Sequence, residues 1–304
     1  MENNNENLST QEERYIPEQY KEGHPNPTKA IILTFLIMLA FIVIQVVVMI
    51  PFMMPGVMTT LTEVKKSGTM LNDDELTRAM LGNVDTIALT VIATFISALV
   101  AVLWYRLAYC RHYGFAELKK TCKRVFNLRS VGGIVLAAIS LFYMANYITA
   151  LVGYISPSAL KEYNDIIESL NLDMSDGLVI ILTVVLAPIN EECIMRGIIF
   201  TYLKKNMHVY IAIAISAVYF GIFHLNVIQG VYAAVLGLFM AYLAYKYKSI
   251  IASMLFHAVF NGLNFIIILF PENVQNSAAL GIIIPIVTGV LWFFVEGRRK
   301  IEEN

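Results

Sequence analysis

The chain has 304 residues, 58% of them hydrophobic and only 15% charged, with a net charge of −1 and a mean hydropathy of +0.65. Such a composition excludes an ordinary soluble domain and reads as a polytopic membrane protein, partnered by the lipid bilayer. It offers no basic footprint for nucleic acid, and the three cysteines (Cys110, Cys122 and Cys193) form neither a disulfide framework nor a zinc-ligand spacing.

Residues 1–29 are polar, rich in Asn and Glu, and lack the apolar core of a signal peptide; a disordered tail is expected there. Apolar spans follow at Ala30–Ile50 and Thr86–Tyr105, separated by a loop at 51–85 with room for a surface helix. Residues 106–130 carry seven Lys and Arg, predict an amphipathic interfacial helix, and hold Cys110 and Cys122. Further spans are expected at Val131–Ile155, Leu178–Leu203, Val209–Leu225, Ile228–Tyr245, Ile250–Phe270 and Ala278–Val295.

The expectation is thus an all-α helix bundle of about eight transmembrane helices. It divides into the tail at 1–29, a transmembrane domain at 30–297 whose catalytic core covers about 130–270, and a short tail at 298–304. Basic residues cluster in the 106–130 loop, at Lys204 and Lys205, at Lys246 and Lys248, and after the last span, while the acidic 156–177 loop has Lys161 as its one cation. The positive-inside rule then puts both termini in the cytoplasm of a multi-pass cell-membrane protein, against the contrary signal of Lys65, Lys66 and Arg78.

Within all these spans the only Asp, Glu, Lys or Arg residues are Glu191, Glu192 and Arg196, in the stretch L-A-P-I-N-E-E-C-I-M-R-G-I-I-F. Each would cost about 2.5–3.5 kcal/mol at mid-bilayer if uncompensated. At 100° per residue, Glu192 and Arg196 share a face at i and i+4, acid first, and neutralise each other. Glu191 points elsewhere and is left looking for a polar partner. Pro188 and Asn190 loosen the helix upstream. Cys193 reads as an inert small residue, and Asn226 and Asn264 as helix-end or packing residues.

Two later spans carry polar pairs: F-G-I-F-H puts Phe220 and His224 at i and i+4, and H-A-V-F-N does the same for His257 and Asn261. Singly, each His reads as an interhelical hydrogen bond. Together, one unpaired Glu, two His and an Asn on three spans can converge in a bundle core. A carboxylate beside an imidazole takes a proton from water, and a second imidazole and an amide donate to the resulting oxyanion. Those parts suffice for peptide hydrolysis without a Ser or Cys nucleophile.

The set E-E-x-x-x-R, F-x-x-x-H and H-x-x-x-N, in this order on successive spans, resembles the CPBP family of intramembrane proteases, also called Abi or CAAX-protease and bacteriocin-processing. The resemblance covers roughly residues 130–270. It implies that Glu191 activates water together with His224, that His257 and Asn261 form the oxyanion hole, and that Glu192, Arg196 and Phe220 support the site. It implies an endopeptidase acting on small peptides or membrane-associated protein termini. No cofactor is expected; a zinc ion held by Glu191, His224 and His257 is the alternative. Two other readings are a non-catalytic immunity or scaffold protein and a proton-coupled transporter, the latter weakened by the lack of inverted repeats.

Depth is the unresolved point in this reading. Glu191 lies roughly 20 Å from Lys204, His257 roughly 12 Å from the Lys246/Lys248 side, and His224 roughly 24 Å from the basic end of its span. Tilt, or a short hairpin whose tip at Asn226–Gly230 stays below the surface, would reconcile them.

Overall fold

The computed structural model describes residues 26–68, 72, 75–76, 79, 85–111, 114–169, 176–275 and 277–298. Residues 1–25 lie outside these, and with them most of the tail expected to be disordered at 1–29; at its end the expectation fails, because Asn26 caps α1 and residues 27–29 are already helical. Among the described residues there is no strand, and seven helices are long and apolar enough to cross a membrane. The fold is therefore the expected all-α membrane bundle.

The helices are α1 (Pro27–Ser67), α2 (Thr86–Tyr109), α3 (Phe115–Val125), α4 (Leu128–Ile155) and α5 (Pro157–Ser169). They are followed by α6 (Gly177–Asn206), α7 (Val209–Phe223), α8 (Val227–Lys246), α9 (Ile250–Ile267) and α10 (Ala278–Trp292). Asn26, Asp85, Asn127, Asp176, Asn226, Ser249 and Ser277 cap their helices by accepting from backbone N–H groups two or three residues on. The spans are thus bounded by side-chain chemistry as well as by hydropathy.

Three features differ from expectation. First, α1 continues through Pro51 and Pro55 to a left-handed cap at Gly68, so the loop expected from residue 51 starts only after Ser67. In apolar surroundings the neighbouring backbone groups have no partner except along the helix, which outweighs the bond each proline removes. Second, a helix not foreseen in the acidic loop, α5, rests against α4 and α8. Third, the expected fifth span is the short α7, only 15 residues, with His224 as its cap. The amphipathic α3 is as expected, with Phe115 81% exposed and Val125 buried.

α7 is short, as one way of reconciling the depths required, while α8 is a full-length span. α6 and α7 meet at the Met207–His208 turn. Glu191 and His224 stand equally far along the chain from it, about 22 Å at 1.5 Å per residue. α7 and α8 form a close hairpin: a Cβ on Gly221 would lie 2.5 Å from the Gly230 carbonyl oxygen, and one on Gly237 would lie 2.9 Å from the Ala217 Cα. The contact between backbones is possible only with small residues.

At the opposite end, α10 continues as a π-helix, Phe293–Gly297, carrying the fully buried Glu296. Tyr247 Oη donates to its carboxylate at 2.6 Å, the Lys246 ammonium lies 3.6 Å away, and Arg129 Nε donates to the Val295 carbonyl at 2.7 Å. The basic turns therefore grip the end of the last helix on one side of the bundle.

Gly221→Ala should force α7 and α8 apart, lowering the melting temperature in detergent and displacing His224. Gly132→Ala, where an added Cβ meets nothing within 4 Å, should be neutral or slightly stabilising. Equal melting temperatures for both would refute the close-packing argument.

Candidate active site

α6 is not one regular helix. π-helical turns at Ile181–Leu186 and Cys193–Phe200 flank a short α-helical stretch, Ala187–Glu192, with Pro188 in its first turn. Proline lacks the N–H that a continuous helix would need there, and a π bulge absorbs the mismatch. The loosening expected around Pro188 thus takes the form of wider turns on both sides of the glutamates. Thr201 Oγ1 donates to the Arg196 carbonyl at 3.0 Å, one of the carbonyls that the wider turns displace. Such bulges concentrate at functional sites.

Glu192 and Arg196 are both fully buried and pair at 2.7 Å through Oε1 and Nη1. Arg196 Nη2 also donates to the Gly237 carbonyl of α8 at 3.2 Å. Its guanidinium lies 4.4 Å from the centre of the Phe220 ring, a cation–π contact in a dry interior. Arg196 thus ties α6 to α7 and α8. The brace expected from i, i+4 spacing is present and has wider reach than the spacing implied.

Phe220 stands between the two histidines. Its ring meets His224 edge-on, with centroids 4.8 Å apart, and meets His257 edge-on at 5.9 Å. His224 Nδ1 lies 2.7 Å from the Phe220 carbonyl. Only an N–H can approach a carbonyl so closely, so Nδ1 carries the proton and Nε2 of the neutral ring is a free acceptor.

His257, on α9, sits between both glutamates. Nδ1 is 3.3 Å from Glu192 Oε1 and Nε2 is 3.9 Å from Glu191 Oε2. Glu191 Oε2 is buried and has no hydrogen-bond partner. The acid that helix geometry left looking for a partner therefore has an imidazole within ion-pair range, but this oxygen makes no hydrogen bond. Among the described residues no ion pair or hydrogen bond joins it directly to His224. Its nearest imidazole is that of His257. Asn261 Nδ2 donates to the Thr183 carbonyl of α6 at 2.7 Å, which leaves its second N–H.

Glu191 and His257 thus meet, His224 joins them through the ring of Phe220, and Asn261 stands one turn beyond His257 on α9, tied to Thr183. Cys193 is buried at 2% exposure and Asn226 caps α8, as the sequence suggests, while Asn264 donates to the Asn261 carbonyl at 3.2 Å. Sequence reasoning missed the Gly237 and Thr183 carbonyls, which carry no side-chain signal.

Among the described residues, no group of three or more His, Cys, Asp and Glu side chains is arranged to hold a metal ion. Glu191, His224 and His257, the set considered for zinc, do not close into one.

Residues 174–263 match the family described as Type II CAAX prenyl endopeptidase Rce1-like. All seven site and support residues fall inside that segment, so the resemblance drawn from the three motifs is borne out there. The chain is also 29% identical over 150 residues to a Bacillus subtilis (strain 168) protein named "Putative membrane peptidase YdiL". That alignment covers 48% of this chain and 61% of the relative, so the chain spans about three fifths of it. No solved structure matches.

Replacing Arg196 by Met should leave Glu192 buried without its cation, a loss of about 3–5 kcal/mol. Thermal unfolding in detergent reads this directly. Arg196→Lys should recover only part, because a point charge cannot hold Glu192 and the Gly237 carbonyl together. Native-like stability in both variants would show that the pair is not a brace.

Proposed function

We propose that the chain is an intramembrane endopeptidase in which Glu191 and His224 activate a water molecule. The observation that carries the reading is the Glu191 carboxylate, whose buried Oε2 makes no hydrogen bond and lies 3.9 Å from His257 Nε2 in a membrane bundle. A buried carboxylate oxygen without a hydrogen bond is costly and is retained where it has chemistry to perform. The similarity to a peptidase family supports the same reaction class.

In this reading a water lies between Glu191 and His224 Nε2, the acceptor left free by the Phe220 carbonyl. As the water oxygen attacks the scissile carbonyl carbon, its proton passes to this acid–base pair and the carbonyl oxygen becomes an oxyanion. His257 Nε2 and the second N–H of Asn261 donate to that oxyanion. Nδ1 of His257 already donates to Glu192, so Nε2 can donate only from the imidazolium form. The tetrahedral intermediate then collapses, the C–N bond breaks, and the proton first taken from water goes to the leaving amine.

The substrates in this reading are small peptides or membrane-associated protein termini, and the end of the bundle with the basic turns faces the cytoplasm. In this reading the chemistry is metal-free.

Glu191→Gln and His224→Ala should each lower peptide cleavage by at least about 10²-fold, with melting temperatures in detergent unchanged. Retention of full activity by both would exclude this assignment. Cleavage should also persist in strong chelators; loss on chelation, restored by added zinc, would overturn the metal-free mechanism.

A further inference from the structure

Asn226 closes the turn between α7 and α8, two residues beyond His224. The turn is forced: Leu225 adopts φ 55, a left-handed conformation unfavourable for a branched residue. The Gly221–Gly230 contact holds the two helices too close for a wider connection. Asn226 Oδ1 accepts from the Gln229 backbone N–H at 3.1 Å and so caps α8.

That cap has a consequence for the other edge of the same planar amide. A backbone N–H can donate only to the carbonyl oxygen, so the opposite edge is the NH₂ group. Asn226 Nδ2 is buried and has no hydrogen-bond partner, in a residue only 8% exposed. A buried donor of this kind calls for an explanation, and one explanation is a ligand. Asn261, by contrast, already spends one N–H on the Thr183 carbonyl.

We propose that Asn226 is a further substrate-binding residue: its Nδ2 donates to a backbone carbonyl of the bound peptide beside the scissile bond. This rests on the peptidase reading above. The helix cap fixes the amide plane, the left-handed Leu225 fixes its distance from His224, and a peptide carbonyl supplies the missing acceptor. The residue then holds the peptide in register with the water-activating pair.

Asn226→Ser and Asn226→Asp test it, because both side chains still cap a helix while neither offers the NH₂ group. The probe is an internally quenched apolar peptide with a free C-terminal carboxylate, in detergent micelles. Both variants should raise KM about tenfold with kcat within about twofold and an unchanged melting temperature, whereas Asn226→Ala should lose stability as well. A residue that only caps α8 would leave KM native in the Ser variant, and that result overturns the assignment. So would a fall confined to kcat.

A second measurement does not depend on turnover. In chain labelled with ¹⁵N-asparagine and carrying Glu191→Gln, the Asn226 side-chain amide signal, identified by its loss in the Ser variant, should shift when the peptide is added. Cleavage abolished by Glu191→Gln but native in both Asn226 variants would refute the Asn226 role alone. No cleavage by the native chain would refute the peptidase reading, and an amide signal unmoved by peptide would remove the Asn226 role as well.

Discussion

Everything at the candidate site depends on the ion pair between Glu192 and Arg196. Both groups are fully buried, and the pair is made inside a bundle of apolar helices. Two charges in such surroundings persist only if they satisfy each other and if their remaining donors find acceptors. Arg196 meets most of this demand through three different elements, its Nε alone making no hydrogen bond: the carboxylate one turn away, the Gly237 carbonyl on α8 and the ring of Phe220 on α7. Satisfying the guanidinium and assembling the three helices are therefore the same event.

The histidines inherit their geometry from that event. Phe220 packs against the guanidinium and touches both imidazoles, so the aromatic ring sets the spacing between the groups. The backbone carbonyl of Phe220 fixes the His224 tautomer, and Glu192 engages the Nδ1 side of His257. One glutamate is thus used for structure and serves as acceptor to both a cation and an imidazole. Its neighbour in sequence faces the Nε2 side of the same imidazole at 3.9 Å. Adjacent acids acquire different environments because successive side chains leave a helix about 100° apart.

The π-helical turns and the short α7 solve a problem of length. A continuous α6 with a proline in its middle would strand a backbone carbonyl in lipid-like surroundings. Widened turns spread the mismatch, and the Thr201 hydroxyl takes up one of the displaced carbonyls. α7 ends at Phe223, with a left-handed residue at once after the histidine, and the imidazole there meets the Phe220 ring edge-on.

The sequence by itself determined the class of fold, the boundaries of most spans, the Glu192–Arg196 pair and the identity of the unpaired acid. These follow from hydropathy and from the angle between residues on one helix, which are local quantities. It misjudged α1, where prolines read as a loop, and α5, whose charged face hides its contact with α4 and α8. Only the tertiary structure decided which imidazole lies nearest Glu191, that Arg196 reaches Gly237, and that the Asn261 amide is tied to Thr183. Those facts depend on how separate helices tilt and rotate against one another, and on backbone carbonyls that every residue possesses, so no pattern of side chains along the chain encodes them.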